Sequence, residues 1–295
     1  MSSRITQNMM NQTLLSNLQT NYSKLNRTQQ QLASGKIITK PSDNPVSAVR
    51  AMYYKSTLNE IDQYKSNAGD ASSWMQSTDS SLDQLTQVLQ RVRELTVQAG
   101  NETNDSKALL AISYEIKQLG SQLGEVANSD QGGRYIFGGT DTQSVPCDTT
   151  QTPPVMINNN NNAINYRIGK GSTIQINVSG DQVFNQNGGM FQMLKNITDS
   201  IDSGTNPANQ LNNLDVQIDN VLTIRADIGA RINRMELSNS RLDSLNQSTS
   251  DLMSIEIDVD VTKAYTELSE QESVYNAALS VGAKIIQPTL VDFLR

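Results

Sequence analysis

Histidine is absent from all 295 residues. That removes Ser-His-Asp and Cys-His catalytic arrangements and ordinary zinc or iron centres, leaving only a carboxylate site for magnesium or calcium formally open. Cysteine is almost as scarce: Cys147 stands alone, so no disulfide forms within the chain, and it reads as an inert loop residue. Aromatic residues make up 5% and hydrophobic residues 36%. A chain long enough for two domains but this thin in core material points to slender helical packing. Basic residues are in deficit, with a formal charge of -7 and a pI near 4.7, so nucleic acid is not an expected partner. No apolar run is long enough to cross a membrane. The opening "MSSRITQNMMNQTLLSNLQT" is polar and amphipathic, so no cleaved secretion signal is expected either.

The residues that remain give no catalytic constellation. Asp258 and Asp260 lie two apart and so point to different sides of a helix, where they cannot act as one acid-base couple. The "SGK" of Ser34 to Lys36 fails as a phosphate-binding loop, which needs Gly at position 30 and Ser or Thr at position 37; Gln30 and Ile37 stand there. The expectation is a protein that is not an enzyme and has no cofactor or metal.

Periodicity is the strongest positive signal. From Ile61 one position in seven reads Ile61, Ala68, Met75, Leu82, Leu89, Thr96, and its companion reads Tyr64, Ala71, Thr78, Leu85, Val92, Ala99. Only Thr78 and Thr96 interrupt this three-four spacing, which predicts one long helix with a coiled-coil seam. Asn44 is its N-cap, Pro45 its first position and Gly100 its stop. After "GNETND", Leu109, Ile112, Ile116, Leu119, Leu123 and Val126 repeat the spacing, and Leu211, Leu214, Ile218, Val221, Ile228, Ile232 and Met235 do so again. Arg225 is the polar interruption in that last stripe, either specifying register or snorkelling to solvent.

Between these helices the period changes. "RYIFGGT" is a short apolar run ended by a Gly-Gly turn, and "QTPPVMINNNNN" cannot be helix. Ile164, Tyr166, Ile168 and Ile174, Ile176, Val178 alternate with polar residues around "GKGS", as in a hairpin with one half-buried face. The asparagine run reads as an exposed loop. The fold class expected is therefore mainly α: an elongated antiparallel helical bundle or coiled coil with paired terminal helices and a small inserted β-rich domain.

The two ends mirror each other. Leu18, Leu25 and Leu32 repeat at seven with Leu15 and Tyr22 three residues earlier; Val261, Leu268, Tyr275 and Gly282 do the same, flanked by Ala264, Ala278, Leu279, Ile285 and Ile286. The first arm has almost no charge between Gln7 and Thr20, whereas the last carries Asp258, Asp260, Glu267, Glu270 and Glu272. Such narrow stripes want partner helices, each other or those of neighbouring subunits. "LASGKIITKPSDNPVSA", Leu32 to Ala48, joins the first arm to the long helix; Gly35 and Pro41 prevent one continuous helix there.

The order "RITQNMM", "LASGKIITKPSDNPVSA", "LDQLTQVLQRVRELTVQAGNET", "RYIFGGTDT", "IGARINRME" and "AALSVGAKIIQPTLVDFL" resembles the flagellin and hook-associated superfamily, and within it the FlgL-type hook-filament junction family. The segment "IEIDVDVTKA" departs from the more acidic run usual before the final helix. The resemblance implies a structural subunit of the bacterial flagellum joining hook to filament and polymerising through its terminal helices, with filament flagellin as the alternative. It implies residues 1-40 as an N-terminal arm of the inner tube, 41-140 and 189-255 as two parts of a helical rod domain, 141-188 as the inserted β-rich outer domain and 256-295 as the C-terminal arm. The assembly interface it implies comprises Leu14, Leu18, Leu25, Leu32, Ile37, Ile38, Leu268, Tyr275, Leu279, Ile285, Ile286 and Leu290, with Ile37 and Ile38 either buried by subunit packing or capping the bundle core. Implied partners are further copies in an axial ring, a neighbouring hook-associated protein, flagellin, and the flagellar export chaperone and export apparatus. The implied location is extracellular, on the flagellum, reached without signal cleavage. Arg91, Leu95 and Glu115 also resemble a flagellin segment read by an animal innate-immune receptor; otherwise Arg91 and Glu115 are a solvated face and Leu95 a helix contact.

Overall fold

The structure, a computed structural model, describes residues 5–101 and 105–286, with the side chains of residues 5–8 and 284–286 outside the description. Two units compose the chain: Met1–Glu60 with Asn246–Arg295, and Ile61–Leu245. The element order is α1 (Ile5–Ser34), α2 (Pro45–Ala99), α3 (Ser106–Ala127), six short strands β1 to β6 between Asp130 and Gln175, α4 (Met190–Asp202), α5 (Leu211–Ile257) and α6 (Val261–Ile286). The fold is mainly α with a small β-rich region, as the patterning predicts.

In the unit Ile61–Leu245 the predicted seam of α2 is the centre of the core. Ala68, Ala71, Met75, Leu82, Leu85, Leu89 and Val92 are wholly buried, facing Ile116 and Leu123 of α3 and Leu214, Val221, Ile228 and Met235 of α5. The two threonines that break the seam satisfy themselves on their own helix: Thr78 donates to the Trp74 carbonyl at 2.9 Å and Thr96 to that of Val92 at 2.7 Å. Arg225 reaches across to α2, with Nε 3.1 Å from Asp79 and an Nη 2.8 Å from Asp83. With Arg93–Asp215 at 2.7 Å and Lys65–Asp243 at 2.6 Å, these bridges run in opposite sequence order along the two helices, so α2 and α5 are antiparallel. Asp105 caps α3 by accepting the Ala108 amide at 2.7 Å. Helix α4, which no expectation singled out, buries Met190, Phe191, Leu194 and Ile197 against α3.

The strands form three antiparallel pairs: β1 (Asp130–Gln131) with β2 (Arg134–Tyr135), β3 (Cys147–Asp148) with β4 (Val155–Met156), and β5 (Asn165–Gly169) with β6 (Ser172–Gln175). The last is the hairpin read at "GKGS", with Ile168, Ile174, Ile176 and Val178 inward. Short ladders are extended by amide side chains. Asn177 accepts the Ile164 amide at 2.8 Å and donates to the Asn162 carbonyl at 3.0 Å; Asn128 exchanges two 2.8 Å bonds with the backbone of Cys147. Cys147 is thus strand rather than loop, and burial with the neighbouring Asp148 carboxylate pushes its thiol up to about 11. The asparagine run is tied back onto the Gly-Gly turn. At Gly139, φ +63, a Cβ would lie 2.0 Å from the Asn160 carbonyl oxygen, so only glycine admits that approach.

Candidate assembly surface

The unit Met1–Glu60 with Asn246–Arg295 is built on the pairing of α1 with α6. The inward side of α1 reads Asn11, Leu14, Leu18, Asn21, Leu25, Thr28, Leu32, and that of α6 reads Ala264, Leu268, Gln271, Tyr275, Ala278, Gly282. Both keep the three-four spacing of a coiled coil. The helices are antiparallel: Leu14 packs where a Cβ on Gly282 would meet its Cδ2 at 2.9 Å, the rings of Tyr22 and Tyr275 are 6.1 Å apart, and the Thr28 hydroxyl bonds Gln271 Oε1 at 3.2 Å. Of the two partners the sequence left open, the structure pairs the arms with each other. The seam of α6 runs through Ala264 rather than Val261, which is exposed.

The joint closes the same end of this pair. Gly35, at φ +69, turns the chain out of α1 in a conformation a side chain would strain. The Ile37 amide then donates to the Ile257 carbonyl at 2.8 Å and the Val259 amide to that of Gly35 at 3.0 Å. The α1–α2 and α5–α6 connections therefore form a minimal antiparallel ladder. The Asp43 carboxylate gathers the amides of Thr39 and Lys40, which hold it below the ordinary aspartate range. Asn44 accepts the amides of Val46 and Ser47, confirming it as the cap of α2, with Pro45 first in the helix. Arg50 bonds Glu256 at 2.9 Å, lowering that carboxyl.

Of the expected interface residues, Leu14, Leu18, Leu25, Leu32, Leu268 and Tyr275 lie together in the seam, each half-buried. Leu279 is turned out of it, 44% exposed. Ile37 is 41% exposed and Ile38 half-buried. Ile285 and Ile286 end α6 with side chains outside the description, and Leu290 lies outside the described residues. Sequence reasoning passed over Thr28 and Gln271, whose polarity hid two inward positions; the spacing of the leucines around Thr28 was the available signal. Further apolar side chains stay on the surface of this unit, among them Met9, Leu15, Val49, Tyr53, Ile255 and Tyr265.

Arg91 and Glu115 are brought together, Nη2 to Oε1 2.8 Å, with Glu94 also on Arg91, and these carboxylates raise the arginine's pKa. Leu95 is 2% exposed in the α2 core. A protein binding this segment of the folded chain meets the two charged residues, not the leucine. Among the described residues no cluster of metal-ligating side chains occurs, and no helix is long and apolar enough to cross a membrane.

The family described as the bacterial flagellin N-terminal helical region matches residues 5–142. Flagellar hook-associated protein 3 of Salmonella typhimurium is 25% identical over 269 residues, 82% of this chain and 83% of that one. Flagellin of Bacillus subtilis is 26% identical over 303 residues, 96% of each. The crystal structure of flagellar hook-associated protein 3 from Legionella pneumophila superposes with a TM-score of 0.64 at 14% identity, over 68% of this chain and 97% of the other, a likeness of fold.

Proposed function

We propose that the chain, whose residues 5–142 match the bacterial flagellin N-terminal helical region and which is similar to flagellar hook-associated protein 3 over most of its length, is the hook-filament junction subunit of a bacterial flagellum, polymerising through its terminal helices. The observation that carries the reading is the pairing of α1 with α6. Helices α1 and α6 meet in one unit, and their seam leaves Leu14, Leu18, Leu25 and Leu32 half wet, a burial for other helices to complete. Copies of the chain in an axial ring, through Leu14, Leu18, Leu25, Leu32, Leu268, Tyr275 and the outward Leu279, supply that burial. The hook-associated neighbour, flagellin, the export chaperone and export apparatus, and passage to the cell exterior without signal cleavage follow as parts of the same reading. The family is a structural one, and the chain's role in it is mechanical rather than catalytic.

Expression in a strain lacking its hook-filament junction protein tests the reading: filaments attach and motility returns. Filament flagellin is the second reading, favoured by the 96% mutual coverage with the Bacillus subtilis flagellin. Expression in a strain lacking filament separates the two. Long filaments mean flagellin, and at most a short collar means junction.

A further inference from the structure

Charge is not spread evenly over the chain. Residues 1–60 carry seven Lys and Arg against two Asp and Glu, residues 246–295 three against eight, and Ile61–Leu245 thirteen against twenty. The entire net charge of -7 therefore belongs to the unit Ile61–Leu245, while the terminal unit is neutral because its two segments are oppositely charged. On α1 the cations are Lys24 and Arg27, one helical turn apart; on α6 the exposed anions are Glu267 and Glu270, also one turn apart, with Glu272 nearby and Lys263 the cation of the first turn. Pairing α1 with α6 does not join them: among the described residues none of Lys24, Arg27, Glu267 and Glu270 forms a direct ion pair, although Arg50 and Glu256 in the same unit do, and Arg27 acts on the Asp43 carboxylate only through space.

We propose that these residues form a self-complementary docking surface, on which Lys24 and Arg27 of one copy meet Glu267 and Glu270 of a second copy. This rests on the reading of the chain as a self-assembling subunit. The matched three-residue spacing lets two opposite-charge pairs form at once along two helices, and a neutral unit brings no net repulsion to the contact. Charge at the rim of an apolar contact directs encounter and register more than it supplies affinity, which suits an interface whose burial comes from leucines and tyrosines.

Charge exchange between copies tests this. One variant carries Lys24→Glu and Arg27→Glu, the other Glu267→Lys and Glu270→Lys, and association of each purified chain is followed by sedimentation velocity. At low salt each variant alone self-associates at least about tenfold more weakly than the unaltered chain, and the difference narrows as salt shortens the screening length below about 10 Å. An equimolar mixture recovers association, since each variant then presents its partner with opposite charge. Circular dichroism of each variant alone checks that the helices are intact. Self-association of either variant equal to the unaltered chain, or a mixture no better than its components, overturns the proposal and leaves the assembly reading standing. An unaltered chain that never self-associates removes both.

Discussion

The two units use the same three-four spacing and reach opposite results. In Ile61–Leu245 the seam of α2 is dry, with Met75, Leu82, Leu85 and Leu89 at 0% exposure, because α3, α4 and α5 cover it and strand residues such as Ile168 and Ile176 join the core. In the terminal unit Leu14, Leu18, Leu25 and Leu32 follow the same rule and remain half-buried. Two helices offer each other one stripe, whereas a bundle surrounds it. The charges part the same way: the unit with the finished core carries the whole negative surplus, which keeps it soluble, and the unit with the unfinished seam is neutral. A heptad pattern thus says that a helix wants partners; the number of partners decides whether a stable core or an assembly surface results.

The largest test of this difference is truncation at matched positions. Leu89→Ala should cost about 2 to 5 kcal/mol in urea unfolding, as large-to-small changes in sealed cores do. Leu25→Ala, half-buried at the start, should cost on the order of 1 kcal/mol, about half the full burial value for leucine. Equal losses would erase the distinction between the units. The seam of the terminal pair can be probed without touching a leucine. Gly282→Val should push Leu14 off α6 and raise amide exchange along both helices, and adding Leu14→Ala should restore protection; no rescue would mean the two residues do not share one site.

A smaller effect of opposite sign is expected at Gly229, inside α5, where a Cβ would meet nothing within 4 Å. Gly229→Ala should stabilise the unit Ile61–Leu245 by about 0.5 to 1 kcal/mol through helix propensity and unfolded-chain entropy, read as a higher urea midpoint. The smallest effect concerns acid. Asp202 accepts Lys117 Nζ at 2.8 Å and the Ser113 hydroxyl at 2.7 Å, and its carboxyl is held below the ordinary aspartate value by these bonds, the lysine's first. A depressed folded pKa gives stability that is present above the unfolded-state pKa and is lost as pH falls through the folded one. Asp202→Asn should therefore lower the urea midpoint slightly at neutral pH, with the gap closing only below the ordinary aspartate range. A gap independent of pH would assign Asp202 a packing role.

The long helices were legible because each announces its face many times over: α2 from Asn44 to Gly100, its partners from Leu109 and Leu211 onward. The stripes of the arms were legible too, but not which helices would fill them, since an apolar stripe specifies a need and not a partner. Other features depended on a single residue acting over a long separation. Arg225 shows its purpose only beside Asp79 and Asp83, and Asn128 and Asn177 read as loop residues until their amides are seen standing in for strand backbone. Helix α4 escaped notice because it is short, Met190–Asp202, and follows a glycine pair that reads as loop. On α6 the seven-residue spacing of Leu268, Tyr275 and Gly282, with Ala264 and Ala278 beside it, marks the seam correctly, and only the bulkier Val261 and Leu279 lie outside it.

The single thiol offers an internal clock. Cys147 is sealed in β3 with a pKa near 11, so at neutral pH alkylating reagents meet neither an accessible sulfur nor a thiolate until that region opens. The labelling rate therefore times the opening of the β-rich region without any introduced probe. A second cysteine in place of Thr28, 5% exposed between α1 and α6, would be labelled as those helices part, so two rates from one sample would order the unfastening of the terminal helices and the opening of the core.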